Sequence, residues 1–199
     1  MLFTRKPSNL YYNNLLRFSI TKPADWVFQP QKNAPLFNFP RLEYTGGLKK
    51  ILAQQLVLFV CFYKKHSHHD LPLPTVQCGC RLNHLPKDLS SEERMERLAE
   101  EVSRPLESCE ILKTDPNFRV DGHPAMMIRM KFQVKNEQHT LDCLGRVIII
   151  PWNDFLIVIG MTGAVSGKYR CEDEFKEILS SIRLNTKRSI ILDYILRRC

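Results

Sequence analysis

Residues 118–135 read Phe-Arg-Val-Asp-Gly-His-Pro-Ala-Met-Met-Ile-Arg-Met-Lys-Phe-Gln-Val-Lys. Asp121-Gly122 predicts a two-residue hairpin turn, because glycine and a short polar residue tolerate the positive φ that primed turns require. From Ala125 the chain alternates. Met126, Ile128, Met130, Phe132 and Val134 point one way; Met127, Arg129, Lys131, Gln133 and Lys135 point the other. A period of two is that of a strand, here half-buried and antiparallel with a wet outer face. Glu107 to Val120 is the other arm of this hairpin, bent at Pro116.

Downstream, Asn136-Glu137 is read as a turn, Leu141 to Ile150 as a strand, Pro151-Trp152-Asn153-Asp154 as a turn and Phe155 to Thr162 as a strand. Strands spaced so closely must be antiparallel neighbours. Gly160, Gly163 and Gly167 predict a strand-to-helix turn. A helix follows over Arg170 to Arg183, with Phe175, Ile178, Leu179 and Ile182 as its apolar stripe and Asn185 as its stop. Glu172, Asp173 and Glu174 suit its first turn, where the helix dipole favours negative charge.

Upstream, Ser90 and Glu93 have the spacing of a capping box. Met95, Leu98, Ala99, Val102 and Leu106 follow the helical period, opposite a face rich in glutamate, and Pro105 ends the helix. Further upstream, Phe18 to Thr21, Gln55 to Tyr63 and Val76 to Leu82 read as strands. Trp26 follows a Lys22-to-Asp25 turn as a core anchor. Residues 30–47, with their prolines and glycines, read as loop, and so does polar Lys64 to Pro74. Neither helix stands as a crossover between parallel strands. The fold class is α+β, an antiparallel sheet covered by helices in an α/β/α sandwich. A single domain is expected over 1–184, with its core in 18–184, followed by a basic helical tail over 185–199.

Several of these segments together resemble the PsbP/DcrB-like superfamily, which includes the Ran nucleotide-release-factor-like fold. The residues concerned are Phe18-Ser19-Ile20 with Pro23 and Trp26, Val120 to Ala125, Ile157 to Gly160, and Phe175 with Ile178, Leu179, Ser181 and Ile182. The resemblance covers Phe18 to Leu184 and is firmest from about residue 107 onward. It implies a non-enzymatic chain with no cofactor that binds another protein as an adaptor or chaperone. It supplies no catalytic motif. The chain departs from the family in the His-rich loop at 64–74 and in the tail.

Composition bounds the rest. The chain has 199 residues, 44% hydrophobic and 25% charged, with a net charge of +8. These are the proportions of a globular domain, not of a disordered or collagen-like chain. The charge is uneven. Residues 1–89 sum to +8, residues 90–184 to −3 and residues 185–199 to +3. The apolar run Leu56 to Tyr63 is too short to span a bilayer, and no secretory h-region follows the N-terminus. With 7 cysteines and no export signal, reduced thiols and a cytoplasmic location are expected.

Three candidate sites follow from residue type. His66, His68 and His69, with Cys78, Cys80 and His84 downstream, are side chains that ligate zinc or copper, but their spacing is not that of a standard finger. A metal-binding or thiol-dependent activity centred on 66–84 is therefore one alternative. Arg5, Lys6, Arg17, Lys49, Lys50, Lys64 and Lys65, with Tyr11 and Tyr12, give a second alternative, non-specific nucleic-acid binding, although no nucleic-acid module accompanies them. The cations Arg129, Lys131, Lys135, Lys64 and Lys65 are the candidates for contacting a protein partner. No P-loop, dinucleotide fingerprint or Gly-x-Ser-x-Gly elbow is present. Cys109, Cys143 and Cys171 read as core or edge thiols.

Overall fold

The computed structural model describes residues 9–14, 16–29, 57–65, 74–86, 88–135, 140–152 and 154–185. The expected loop at 30–47, most of the loop at 64–74, the turn at Asn136-Glu137 and the tail beyond 185 lie outside these residues. So do Arg5, Lys6, Lys49 and Lys50.

The hairpin forms as its sequence requires. β6 (Glu107–Val120) and β7 (His123–Lys135) pair antiparallel, and the turn between them has φ 49° at Asp121 and 77° at Gly122. Both values are positive, as a type I′ turn demands. The register of β6 shifts between Asp115 and Phe118, around Pro116. A residue without an N–H cannot complete the ladder there, so the strand is disrupted at that point. β8 (Thr140–Trp152) and β9 (Phe155–Ala164) continue the meander. Pro151 and Trp152, expected in the turn, instead extend β8, because Trp152 pairs with Phe155 and its Nε1 donates to Leu16 O at 2.9 Å.

β9 also pairs with β5 (Thr75–Leu82), β5 with β4 (Val57–Lys64), and β4 with the short β3 (Trp26–Phe28). The result is a seven-stranded sheet in the order β3-β4-β5-β9-β8-β7-β6, with every pairing antiparallel. A second sheet, in the order β1-β2-β10, joins β1 (Leu10–Asn13) and β2 (Phe18–Thr21) to β10 (Arg183–Leu184).

Helix α1 (Ser91–Ser103) carries the expected box. Glu93 N donates to Ser90 Oγ at 3.1 Å, and Ser90 N donates to Glu93 Oε2 at 2.8 Å. Met95, Leu98 and Ala99 of α1 pack with Met126, Ile128, Met130 and Phe132 of β7. The second helix, α2, is shorter than expected. It runs only over Glu172–Ser180, because Cys171 breaks the path with φ 51° and Arg183-Leu184 pairs as β10 against β2. Its Phe175 and Ile178 join Phe18 and Ile20 of β2 and Ile148, Ile150, Ile157 and Ile159 of the large sheet. The two clusters take alternate residues of β7 and β8, so they lie on opposite faces of the large sheet.

Two expectations fail here. Met127 is not on a wet face; it is 8% exposed and belongs to the cluster under α2. Only the half of that face beyond α2, with Arg129, Lys131 and Gln133, stays partly in solvent. Gly160 and Gly163 lie inside β9 rather than in a turn, and only Gly167, with φ 73°, serves the bend toward α2.

Candidate binding groove

Pro105 ends α1 before it has crossed the whole sheet. The helix covers Met126, Ile128, Ile149 and Leu156 near one end of the strands. Beyond its last turn a groove opens on the same face, with a cavity volume of about 380 Å³. Val102, Pro105 and Leu106 form one wall. Met130 and Phe132 of β7, Val147 of β8 and Val158 of β9 lie along it, and Leu58 and Gln77 close the far side. The hollow has a cause in the sequence. Gly160 stands on this face where neighbouring strands carry side chains, whereas the space above Gly145 is taken by Phe132 and Met130, whose side-chain atoms would lie 2.8 and 3.0 Å from a Cβ there. A Cβ on Gly160 would meet nothing within 4 Å. The lining is apolar apart from Gln77 and Thr162. It can seat aliphatic or aromatic side chains, with a few polar groups to orient them.

The cations proposed for partner contact are elsewhere, and most are already engaged. Lys64 pairs with Glu174 and stands 3.7 Å from Asp25. Arg129 lies 3.4 Å from Glu172, and Lys131 lies 3.3 Å from Asp142. Lys65 is exposed, and it is its backbone N, not its ammonium, that donates to Asp25 O at 2.8 Å. The side chain of Lys135 lies outside the described residues. A further cation, Arg146, reaches the other oxygen of Glu172 at 2.8 Å and is only 12% exposed. Arg129 and Arg146 are cross-strand neighbours gripping one carboxylate. These charges hold α2 against the sheet.

The histidines of the candidate metal site, His66, His68 and His69, lie outside the described residues. Cys78 and Cys80 belong to the core cluster under α2, and His84 is exposed. The structure therefore does not bring these two cysteines to a common surface with His84. Among the described residues no group of three or more His, Cys, Asp or Glu could hold a metal ion. Burial raises the thiol of each described cysteine. It pushes Cys80 up to about 12, and Cys143 and Cys171 up to about 11. A nucleophilic cysteine needs the opposite shift. Of the two tyrosines considered for base stacking, Tyr11 packs against Phe28 and Phe59, while Tyr12 is exposed.

The fold has known counterparts. The solution structure of cyanobacterial PsbP (CyanoP) from Synechocystis sp. PCC 6803 matches with a TM-score of 0.54 at 12% identity, over 93% of this chain and 97% of that one. The chain has the PsbP-like fold. LpqN of Mycobacterium tuberculosis, described as involved in cell envelope biogenesis, matches with a TM-score of 0.51 at 11% identity, over 92% and 87% of the two chains. A lower-scoring likeness, TM-score 0.48 at 10% identity over 84% and 89%, is to the Ran-binding protein Mog1p of Saccharomyces cerevisiae. No family model and no curated protein matches the sequence.

At these identities the PsbP-like fold carries over and residue roles do not. Sequence reasoning passed over the groove because it searched for charges and metal ligands. The available signal was Gly160, interrupting an otherwise apolar strand. A strand glycine often marks a close approach by another chain.

Proposed function

We propose that this chain is a non-catalytic, protein-binding adaptor or chaperone-like protein of the cytoplasm. Its binding site is the groove between the end of α1 and the glycine-floored sheet. That groove is the observation that carries the reading. It is apolar and about 380 Å³ in volume, and no described element covers it. The same reading takes the molecule as an α/β/α sandwich in which one helix stops short. Among the described residues, no helix is long and apolar enough to cross a membrane.

The test is affinity purification with the full chain and with Val147→Arg, whose guanidinium would stand in the groove. The wild-type chain should recover a stoichiometric protein that the variant loses, with unchanged circular dichroism for both. Recovery of the same proteins by both chains, or of none by either, overturns the reading.

A further inference from the structure

We propose that the outer face of the small sheet is the seat of this chain's own C-terminal segment, residues 190–196.

The register of β1-β2-β10 decides which side chains share a face, because opposite residues of an antiparallel pair point the same way. Tyr11 lies opposite Ile20, and Leu184 opposite Phe18; these turn inward to the core. Leu10 lies opposite Thr21, Tyr12 opposite Ser19 and Ser19 opposite Arg183, so these five make the outer face. Leu10 is 52% and Tyr12 47% exposed, two of the four exposed large apolar side chains among the described residues. Ser19 and Thr21 are short and leave the face low beside them.

Residues 190–196 read Ile-Ile-Leu-Asp-Tyr-Ile-Leu. Six of the seven are apolar, so the segment gains by leaving water. On a helix, Ile190, Ile191, Tyr194 and Ile195 share one side, with Leu192 and Leu196 behind it. Asp193 falls at the flank, four residues before Arg197, a spacing at which the two attract each other. The side offered to the sheet then carries no charge.

The segment leaves from this same sheet. Leu184 pairs with Phe18, and Asn185 N donates to Arg17 O at 3.1 Å. Strands lie ~4.8 Å apart, which puts β1 roughly 10 Å from β10. Asn185 to Ile190 can span ~18 Å, enough to cross with slack for a turn. The other exposed pair, Ile111 and Leu112, is ~30 Å off, counted along β6 from Asp121, whose side chain holds Leu184 N. So short a tether keeps the segment at an effective concentration on the order of 1 mM above the face, which favours it over any free partner. Residues 1–8 also adjoin the face, but the part next to β1 is Arg5-Lys6-Pro7-Ser8, whose two charges belong in water. A segment seated there holds β10 and β1 together from outside.

Amide hydrogen exchange of residues 190–196 in the full chain tests this. At ~1 mM effective concentration, even a contact of ~100 μM intrinsic affinity slows exchange about tenfold. Tyr12→Ser and Thr21→Arg, each with unchanged circular dichroism, should both remove that protection; Thr21→Arg sets a long cation in the seat without entering the core. Val147→Arg, which alters only the groove, should keep it. Protection should be the same at 5-fold dilution, as a contact within one molecule requires. Four results overturn the inference: no protection in the wild type, protection that survives both face variants, protection that falls on dilution and so reports a second copy, or protection lost in Val147→Arg, which moves the segment to the groove.

Discussion

Gly163 has no room for a side chain. A Cβ there would sit 2.7 Å from Arg170 O and 2.9 Å from Tyr169 O, both backbone atoms at the approach to α2. Gly163→Ala must push that turn away, and a loss of about 1–3 kcal/mol is expected in urea unfolding. Gly160→Ala, on the same strand with open space above it, should stay within about 0.5 kcal/mol of wild type. The contrast separates a glycine kept for packing from one that shapes the groove. Lys64 and Glu174 give a pH test. The hydrogen bond to Glu174 raises Lys64 despite burial. Burial works to raise Glu174, but its bonds to Lys64 and the backbone outweigh it and leave the carboxyl below its ordinary value. A lowered carboxyl adds stability above its unfolded value and loses it as the pH falls through the folded one; a raised lysine adds stability that is lost only as the pH rises through its folded value. The pair therefore acts between about pH 4.3 and 10.4. Glu174→Gln should cost roughly 0.5–1 kcal/mol at pH 7, and the difference should shrink as the pH falls below the ordinary carboxylate range.

Elements with their own local signals were legible, and those held only by distant partners were not. α1 was readable from Ser90 and Glu93, and the box is present. Ser90→Ala should cost about 1 kcal/mol, read as a drop in thermal midpoint. The β6–β7 hairpin was readable from Asp121-Gly122. Asp121 also accepts Leu184 N through its side chain, so Asp121→Ala removes a turn former and a bond between elements together. A loss of about 1–2 kcal/mol is expected, with Asp121→Asn keeping most of the stability because asparagine tolerates positive φ and retains an acceptor. β1 and β3, of 4 and 3 residues, were not foreseen. Strands that short show no period; β1 exists because β2 lies beside it, and β3 because β4 does. The true start of α2 was hidden for a similar reason, since the positive φ of Cys171 has no signature in a cysteine.

At the scale of the molecule, the α+β class and the antiparallel meander followed from spacing alone. What did not follow was which half of each face is covered. Met127 alternates with Met126 as in any half-wet strand, and only the arrival of α2 on that side makes it core. The groove was invisible for the same reason, because it is defined by where α1 stops. The small sheet has a consequence of another kind. β10 pairs with β2 across most of the chain's length, and Ser181 Oγ binds the backbone of Thr21 on both its N–H and its carbonyl side. Bringing residues 160 positions apart into register carries a large loop-closure cost, repaid only when everything between them is already in place. The β1-β2-β10 sheet is thus the clasp of the fold, the last part to close during folding and the first to open. In native-state hydrogen exchange its amides should open as one unit, at a lower free energy than those of β7, β8 and β9.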